Sequence, residues 1–257
     1  MAVPNFLEKV LTARVYDVAI ESPLDSMPGI SRRLNNRVLL KREDLQAVFS
    51  FKLRGAFNKI FQSVKKNPDL KGIITASAGN HAQGVALAAR KLKMHAVIVM
   101  PVTTPTIKVN AVKNYGAKVV LSGDNFDEAY KFSLQLAEQE KLSFIHPYDD
   151  IDVMAGQGTI AHEIIRQYPD GIEAIFVPVG GGGLLAGIAG FLKAVKPSIK
   201  VIGVEPEDAA CLAAAMQAKR RVKLKEVGIF ADGVAVSQIG QNTFKMIRNL
   251  VDDVITV

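Results

Sequence analysis

Ala174-Ile-Phe-Val-Pro-Val179 runs directly into Gly180-Gly-Gly-Gly183 and then into Leu184-Leu-Ala-Gly-Ile-Ala-Gly-Phe-Leu192. An apolar run of strand length, a bend without a Cβ and an apolar stretch of helical period make one strand-turn-helix unit. The four glycines let successive backbone N–H groups close around an anion, and the helix behind them adds its positive end. No Gly-Lys-Ser/Thr follows, so neither the ammonium nor the Mg²⁺-holding hydroxyl of a nucleotide loop is supplied. The bend reads as a phosphate cradle without a metal clamp. Glycines kept only for tight strand-helix packing are the plainer reading, but four in a row exceed what a tight turn requires. Gly181-x-Gly183-x-x-Ala186 also satisfies the dinucleotide fingerprint, and Glu205 ends the next strand candidate where a ribose-binding acid would sit. This segment alone leaves a nicotinamide-dependent oxidoreductase open.

Outward from that unit the same alternation recurs. Strands are expected at 72–76, 96–100, 118–121, 143–146, 174–179, 201–205 and 254–257, and helices at 82–92, 107–115, 126–140, 159–168, 184–195 and 243–251. Repeated β-α-β order implies an α/β chain whose parallel sheets are covered by helices, with ligand loops at the carboxyl ends of the strands. Residues 1–45 differ: a helix over 5–14, Ser-Pro and Pro-Gly turns, then a strand over 37–43. Four strand candidates within 46–147 suffice for a sheet of their own. Two open, mostly parallel sheets with a cleft between them are therefore expected, a small domain at 46–147 and a large one from 1–45 and 148–257. Pro147-Tyr-Asp-Asp-Ile-Asp152 is the expected crossing point.

Composition excludes other classes. Of 257 residues, 49% are apolar and 22% charged, which rules out collagen-like and wholly disordered chains. The net charge is +7, but the basic stretch Lys219–Lys225 has no interleaved aromatic, so no nucleic-acid partner is expected. No run approaches the roughly 20 apolar residues of a membrane helix, and the first residues lack the pattern of a secretory signal. A lone Cys211 points to a reducing compartment, and a cytoplasmic location is expected.

Two further segments carry chemistry. Lys52, in Ser50-Phe-Lys-Leu-Arg-Gly-Ala56, stands in the first turn of a helix running to Lys66. The helix dipole and the flanking Phe51 and Leu53 disfavour an ammonium there, so its pKa should fall. At the ordinary value near 10.4, on the order of one lysine in a thousand is a free amine at neutral pH, too few for attack on a carbonyl. Lys52 is placed for imine chemistry; a solvated surface lysine is the competing reading. Thr75-Ala-Ser-Ala-Gly-Asn-His-Ala-Gln-Gly84 is again strand, small residues, helix. Ser77, Ala78 and Gly79 expose N–H groups suited to a carboxylate, and Asn80 offers a directional donor. Ser77 or Asn80 acting only as an N-cap is the alternative. His81, His95, His146 and His162 show no metal-ligand spacing.

The order Ser-Phe-Lys-Leu-Arg-Gly-Ala, Ser-Ala-Gly-Asn-His-Ala-Gln-Gly, Val-Gly-Gly-Gly-Gly-Leu closely resembles the fold-type II pyridoxal-phosphate enzymes, and specifically the biosynthetic threonine dehydratases. Lys41-Arg-Glu-Asp-Leu-Gln46, Gly123-Asp-Asn-Phe-Asp-Glu-Ala129, Ala155-Gly-Gln-Gly-Thr159 and Phe230-Ala-Asp-Gly-Val-Ala-Val236 extend the likeness over nearly the whole chain. The resemblance implies a tryptophan synthase β-like fold and pyridoxal 5′-phosphate as cofactor. Lys52 would hold that cofactor covalently, with Phe51 packed beside it. Asn80 would bond its 3′-hydroxyl, the backbone of Gly180, Gly181, Gly182, Gly183 and Leu184 would hold its phosphate, and Gly233 would lie near its ring. Ser77, Ala78, Gly79, Asn80 and His81 would line the substrate carboxylate site.

The implied activity is that of a lyase, L-threonine to 2-oxobutanoate and ammonia in isoleucine biosynthesis, with L-serine to pyruvate as a side reaction. Relatives carry a Ser or Cys facing the pyridine nitrogen and an isoleucine-sensing regulatory domain in elements beyond these motifs, and Cys211 lies in no matching motif. Some relatives bind a divalent cation beside an acid equivalent to Glu205, but Cys211 falls where a further carboxylate is expected, so no metal site is expected here. The free edge of the last strand favours a homo-oligomer. A non-catalytic cofactor-binding chain is the remaining alternative.

Overall fold

The computed structural model describes residues 3–228 and 230–257. A first helix, α1 (Val3–Leu11), precedes an antiparallel ribbon of β1 (Leu24–Ser26) and β2 (Leu39–Lys41) that brackets α2 (Pro28–Leu34). Four strands, β3 (Ile73–Ala76), β4 (Ala96–Met100), β5 (Lys118–Leu121) and β6 (Ser143–Phe144), then form a wholly parallel sheet in the order β5-β4-β3-β6. Period-two alternation decides its faces. Ile73, Ile98 and Met100 pack with residues of α3 (Lys52–Lys66), α4 (Asn80–Lys91) and α5 (Thr106–Lys113), while Ile74, Val97 and Val99 pack against α6 (Phe126–Glu140). The start of α6 is written locally: Asn125 Oδ1 accepts the Glu128 N–H at 3.1 Å and the Glu128 carboxylate takes the Asp124 N–H at 2.8 Å, so both side chains occupy orphan donors.

The second parallel sheet joins β7 (Ala174–Pro178), β8 (Lys200–Glu205) and β9 (Asp253–Thr256) in chain order. Val177, Val179 and Val201 meet α1, α7 (Ile151–Gln167), α8 (Gly183–Val195), α9 (Cys211–Ala218) and α10 (Gln241–Leu250) in one core. The opposite face, with Phe176 60% exposed, joins none of the buried clusters, so helices cover the four-stranded sheet on both faces and this sheet on one.

Several boundaries differ from the sequence expectation. The strand expected at 37–43 shrinks to β2 and pairs outside both parallel sheets. The helix expected from 159 begins eight residues earlier, because Asp150 Oδ1 accepts the N–H groups of Asp152 and Val153 at 2.8 and 3.3 Å and caps it. Its glycines at 156 and 158, before the expected start, lie inside it and serve helix crossings. A Cβ on Gly156 would stand 2.7 Å from Gly55 Cα of α3, and one on Gly187 of α8 would stand 2.4 Å from the Met154 carbonyl oxygen. α7 thus lies between α3 and α8 at backbone contact. α2 and α9, of seven and eight residues, were too short for periodicity to reveal.

Gly187→Ala is expected to destabilise the chain by about 1–3 kcal/mol through overpacking, a drop of several degrees in Tm by thermal unfolding. An unchanged Tm would mean that the α7–α8 crossing relaxes freely.

Candidate active site

Lys52 is the first residue of α3, and Phe51 is its N-cap with no side-chain cap bond. The Lys52 N–H donates to Ser50 Oγ at 3.3 Å, and its Nζ lies 4.9 Å from the centroid of the Phe51 ring. No ion pair among the described residues involves that amine. Burial pushes its pKa below the usual lysine range, with Asp232 opposing. The neutral amine is favoured at the mouth of this helix relative to an ordinary lysine.

The second cradle lies one helix away. β3 hands over to Ser77, whose N–H donates to the Val99 carbonyl at 3.1 Å, and Ser77 Oγ accepts the Gly79 N–H at 3.2 Å. Gly79, not Ser77 or Asn80, is the N-cap of α4, and no side chain caps the helix. The leading amides of α4 therefore have no side-chain acceptor, and nothing stands within 4 Å of a Cβ built on Gly79. His81 is buried, its Nε2 3.2 Å from the Ile145 carbonyl, so that nitrogen carries the proton. Burial pushes its ring down to about 3, and Lys52 and His146 add to the effect against the Ile145 carbonyl. It is neutral at any ordinary pH. A Cβ on Gly84 would stand 3.1 Å from Leu53 N and Cα, so α4 approaches the first turn of α3 at backbone distance.

The glycine bend is the third part. Gly181, Gly182 and Gly183 are buried and Gly180 partly so. Gly182 has φ +89° as the N-cap of α8, a conformation open to glycine and strained for other residues. A Cβ on Gly181 would lie 2.3 Å from Cγ of the Tyr148 ring. Leu184 and Phe51 are partly buried against the large core. Residues 231–234 join bend to lysine: a Cβ on Gly180 would meet Val234 Cα at 3.1 Å, and Asp232 acts on the Lys52 charge and pairs with Lys108 of α5 at 3.0 Å. Gly233 is exposed, with open space around it. All the sequence-selected residues thus lie on segments that adjoin one another, and a groove of about 730 Å³ lined by Glu207, Asp208, Gln217 and Glu226 outside α9 contains none of them.

Sequence reasoning missed four contributors. Tyr148 fills the place of the Gly181 side chain and meets His146 edge-on at 4.7 Å. Asp149 caps α10 by accepting the N–H groups of Gln241, Asn242 and Thr243 at 2.9, 2.7 and 3.0 Å. Thr243 Oγ1 in turn donates to the Gly181 carbonyl at 2.8 Å. Cys211 Sγ lies 3.7 Å from the Gly180 carbonyl oxygen, and burial, reinforced by Glu205, pushes its thiol up to about 12. Adjacent aspartates 149 and 150, each capping a different helix, were the available signal. Asp149→Ala is expected to cost about 1 kcal/mol and a Tm drop of roughly 2–4 °C; equal melting of variant and parent would remove the cap from this account.

Glu205 corrects the dinucleotide reading. It is fully buried and both its oxygens are engaged, accepting the Leu212 and Ala213 N–H groups at 2.8 Å each, so it does not present a carboxylate to a ribose. Among the described residues no group of three or more His, Cys, Asp or Glu side chains is arranged to hold a metal.

The family described as pyridoxal-phosphate dependent enzyme matches residues 15–257. The chain belongs to that family. It is 53% identical over 260 residues to the biosynthetic L-threonine dehydratase of Burkholderia multivorans, covering 100% of this chain and 51% of that protein. It is 56% identical over 255 residues to the chloroplastic biosynthetic threonine dehydratase of Arabidopsis thaliana, covering 98% and 43%. The solved structure of the processed form of threonine deaminase isoform 2 from Solanum lycopersicum superposes with a TM-score of 0.95 at 51% identity, covering 99% of this chain and 74% of that one. The chain spans about half the length of the curated relatives it matches.

The residues present fit the cofactor of this pyridoxal-phosphate family. Its aldehyde needs an amine that is not held as a paired cation, which Lys52 supplies. Its phosphate needs a cradle without Cβ atoms, and Gly180–Gly183 leave no room for them.

Proposed function

We propose that this chain carries the catalytic centre of an L-threonine ammonia-lyase, converting L-threonine to 2-oxobutanoate and ammonia and L-serine to pyruvate. The observation that carries the reading is a partly buried lysine without an ionic partner among the described residues, set beside an uncapped helix start and a glycine bend, in a chain more than half identical to biosynthetic threonine dehydratases.

Pyridoxal phosphate, when bound, supplies an aldehyde for the substrate amine and a conjugated ring that spreads the charge left at Cα. Lys52, held below the usual lysine range, would anchor it and would serve as the base that takes the Cα proton. Gly180, Gly181, Gly182, Gly183 and Leu184 would hold the phosphate by backbone N–H groups at the start of α8. Ser77, Ala78, Gly79 and Asn80 would hold the substrate carboxylate at the start of α4, and the Asn80 amide would bond the ring hydroxyl. His81, neutral and bonded to the Ile145 carbonyl, gives shape to that pocket and no charge. The departing β-hydroxyl needs a proton, which Lys52 or the cofactor phosphate would supply.

Residues 46–147 and the remainder are the two domains proposed around the two sheets. A place in isoleucine biosynthesis rests on the relatives' names, and a cytoplasmic setting on the lone buried Cys211. No described helix is long and apolar enough to cross a membrane. A homo-oligomer belongs to the same proposal.

The test is the purified chain mixed with pyridoxal phosphate, reduced with borohydride and mapped by mass spectrometry, with oxo-acid formation from threonine followed in parallel. Cofactor fixed on Lys52 together with 2-oxobutanoate release is the expected result. Cofactor fixed there without turnover would make this a cofactor-binding chain only, and saturable NADH binding with no fixed cofactor would restore the oxidoreductase.

A further inference from the structure

Two residues beyond Lys52, Arg54 is fully buried. Its guanidinium makes six contacts with its five N–H groups. Nε and Nη2 grip Glu43 at 2.8 Å each, Nη1 and Nη2 grip Glu163 of α7 at 2.5 and 3.0 Å, and single bonds reach Thr159 Oγ1 at 3.1 Å and the Ile20 carbonyl at 3.0 Å. Glu163 is itself buried and also receives Lys41 Nζ at 2.7 Å and the Tyr16 hydroxyl at 2.8 Å, while Glu43 takes the Ser22 hydroxyl at 2.6 Å. One side chain therefore ties α3 to α7 and to the segment before it, residues 16–43.

An ion cluster this deep adds little net stability, since desolvating its charges offsets most of their attraction. What it does impose is geometry, because a planar fork gripping two carboxylates tolerates one orientation. Residues two apart on a helix point roughly 200° apart around its axis, so a helix locked by Arg54 on one side aims residue 52 to the other. Thr159, the last residue of Ala155-Gly-Gln-Gly-Thr, takes part, and the glycine of that stretch at 156 gives the backbone contact on which α3 rests.

We propose that the Arg54–Glu163–Glu43 hub is the positioning device of Lys52, fixing the rotation of α3 so that the amine is held in its apolar niche between the two cradles. The proposal rests on Lys52 being the reactive amine. The titratable groups facing that amine are Asp232 from residues 231–234 and His81 from α4, so an α3 free to rotate exposes it to water and to Asp232, and both raise its pKa.

The experiment follows the rate at which pyridoxal phosphate and borohydride label Lys52 in the apo-protein over a pH series, read on its peptide by mass spectrometry, beside Tm and circular dichroism. Arg54→Lys keeps the charge and removes the fork. It is expected to fold with a lower Tm and with the labelling midpoint moved up by roughly one pH unit, which is tenfold slower labelling near neutrality. Glu43→Gln, which weakens the hub at its more accessible side, is expected to move the midpoint in the same direction and carries the test if Arg54→Lys does not fold. Ile188→Val, a core change on α8 away from the hub, should lower Tm and leave the midpoint where it was. Hub variants that melt earlier yet label Lys52 as the parent does would reduce the hub to a structural clamp and overturn the proposal. A parent chain whose Lys52 is not labelled ahead of its other lysines would instead overturn the assignment of Lys52, a different result from the same peptide map.

Discussion

Lys52→Ala is expected to abolish covalent retention of pyridoxal phosphate and to reduce oxo-acid formation by roughly 10³-fold or more, because anchor and base are lost together. The same substitution should leave the fold intact. Lys52 has no ionic partner among the described residues, and burial disfavours its charged form, so its removal relieves a penalty. The sign with pH follows. A lysine whose pKa is lowered on folding binds fewer protons in the native than in the unfolded state, so the parent gains stability as pH rises from the lowered value towards 10.4. The Tm of apo Lys52→Ala should therefore exceed that of the apo parent most below the lowered pKa, with the gap closing as pH approaches 10.4. Full activity in the variant would end the assignment of Lys52. A Tm difference independent of pH would show that the amine is not held in an unfavourable niche.

Gly181→Ala is expected to have the second largest effect. Its new methyl would lie 2.3–2.4 Å from Cγ, Cδ1 and Cδ2 of Tyr148, and that ring is held edge-on against His146. Either the ring or the bend must move, a strain of about 1–3 kcal/mol. If the bend moves, cofactor affinity falls roughly 10- to 100-fold. Tyr148→Ala added to Gly181→Ala makes room for the methyl and should recover most of that loss, giving a non-additive cycle read by titration of the apo-protein with cofactor. Equal cofactor affinity in Gly181→Ala and the parent would show that the ring yields without strain, and purely additive losses would show that Tyr148 is not what the methyl meets.

Much of the architecture is legible in the sequence. β4, β5 and α6 lie at the residues expected, 96–100, 118–121 and 126–140, and α3 ends at Lys66 as expected, because alternation and helical period are local properties of the side chains. The boundaries that failed depend on partners outside the window. The start of α7 is set by the Asp150 carboxylate, and its glycines are needed by α3 and α8, which lie about 100 residues before Gly156 and about 30 after it. The same holds at the site. Residue type and position at helix starts marked Lys52, Asn80 and the glycine bend. Tyr148 against Gly181, Asp149 capping α10 and Cys211 beneath Gly180 are pairings across 30 to 90 residues, for which one sequence carries no local sign.

What the amino-acid order determined by itself was the alternation that makes two parallel sheets, and the residue types that leave N–H groups free at the starts of α4 and α8. Glycine, small side chains and a lysine in a first turn act through their own backbone, so their meaning needs no neighbour. The tertiary structure alone decided how each ionisable group is used: Glu205 spent on two amides of α9, Arg54 gripped by Glu43 and Glu163, Lys52 left without a counter-ion. The state of a charge depends on the dielectric and the partners around it, and those are assembled only when distant segments pack.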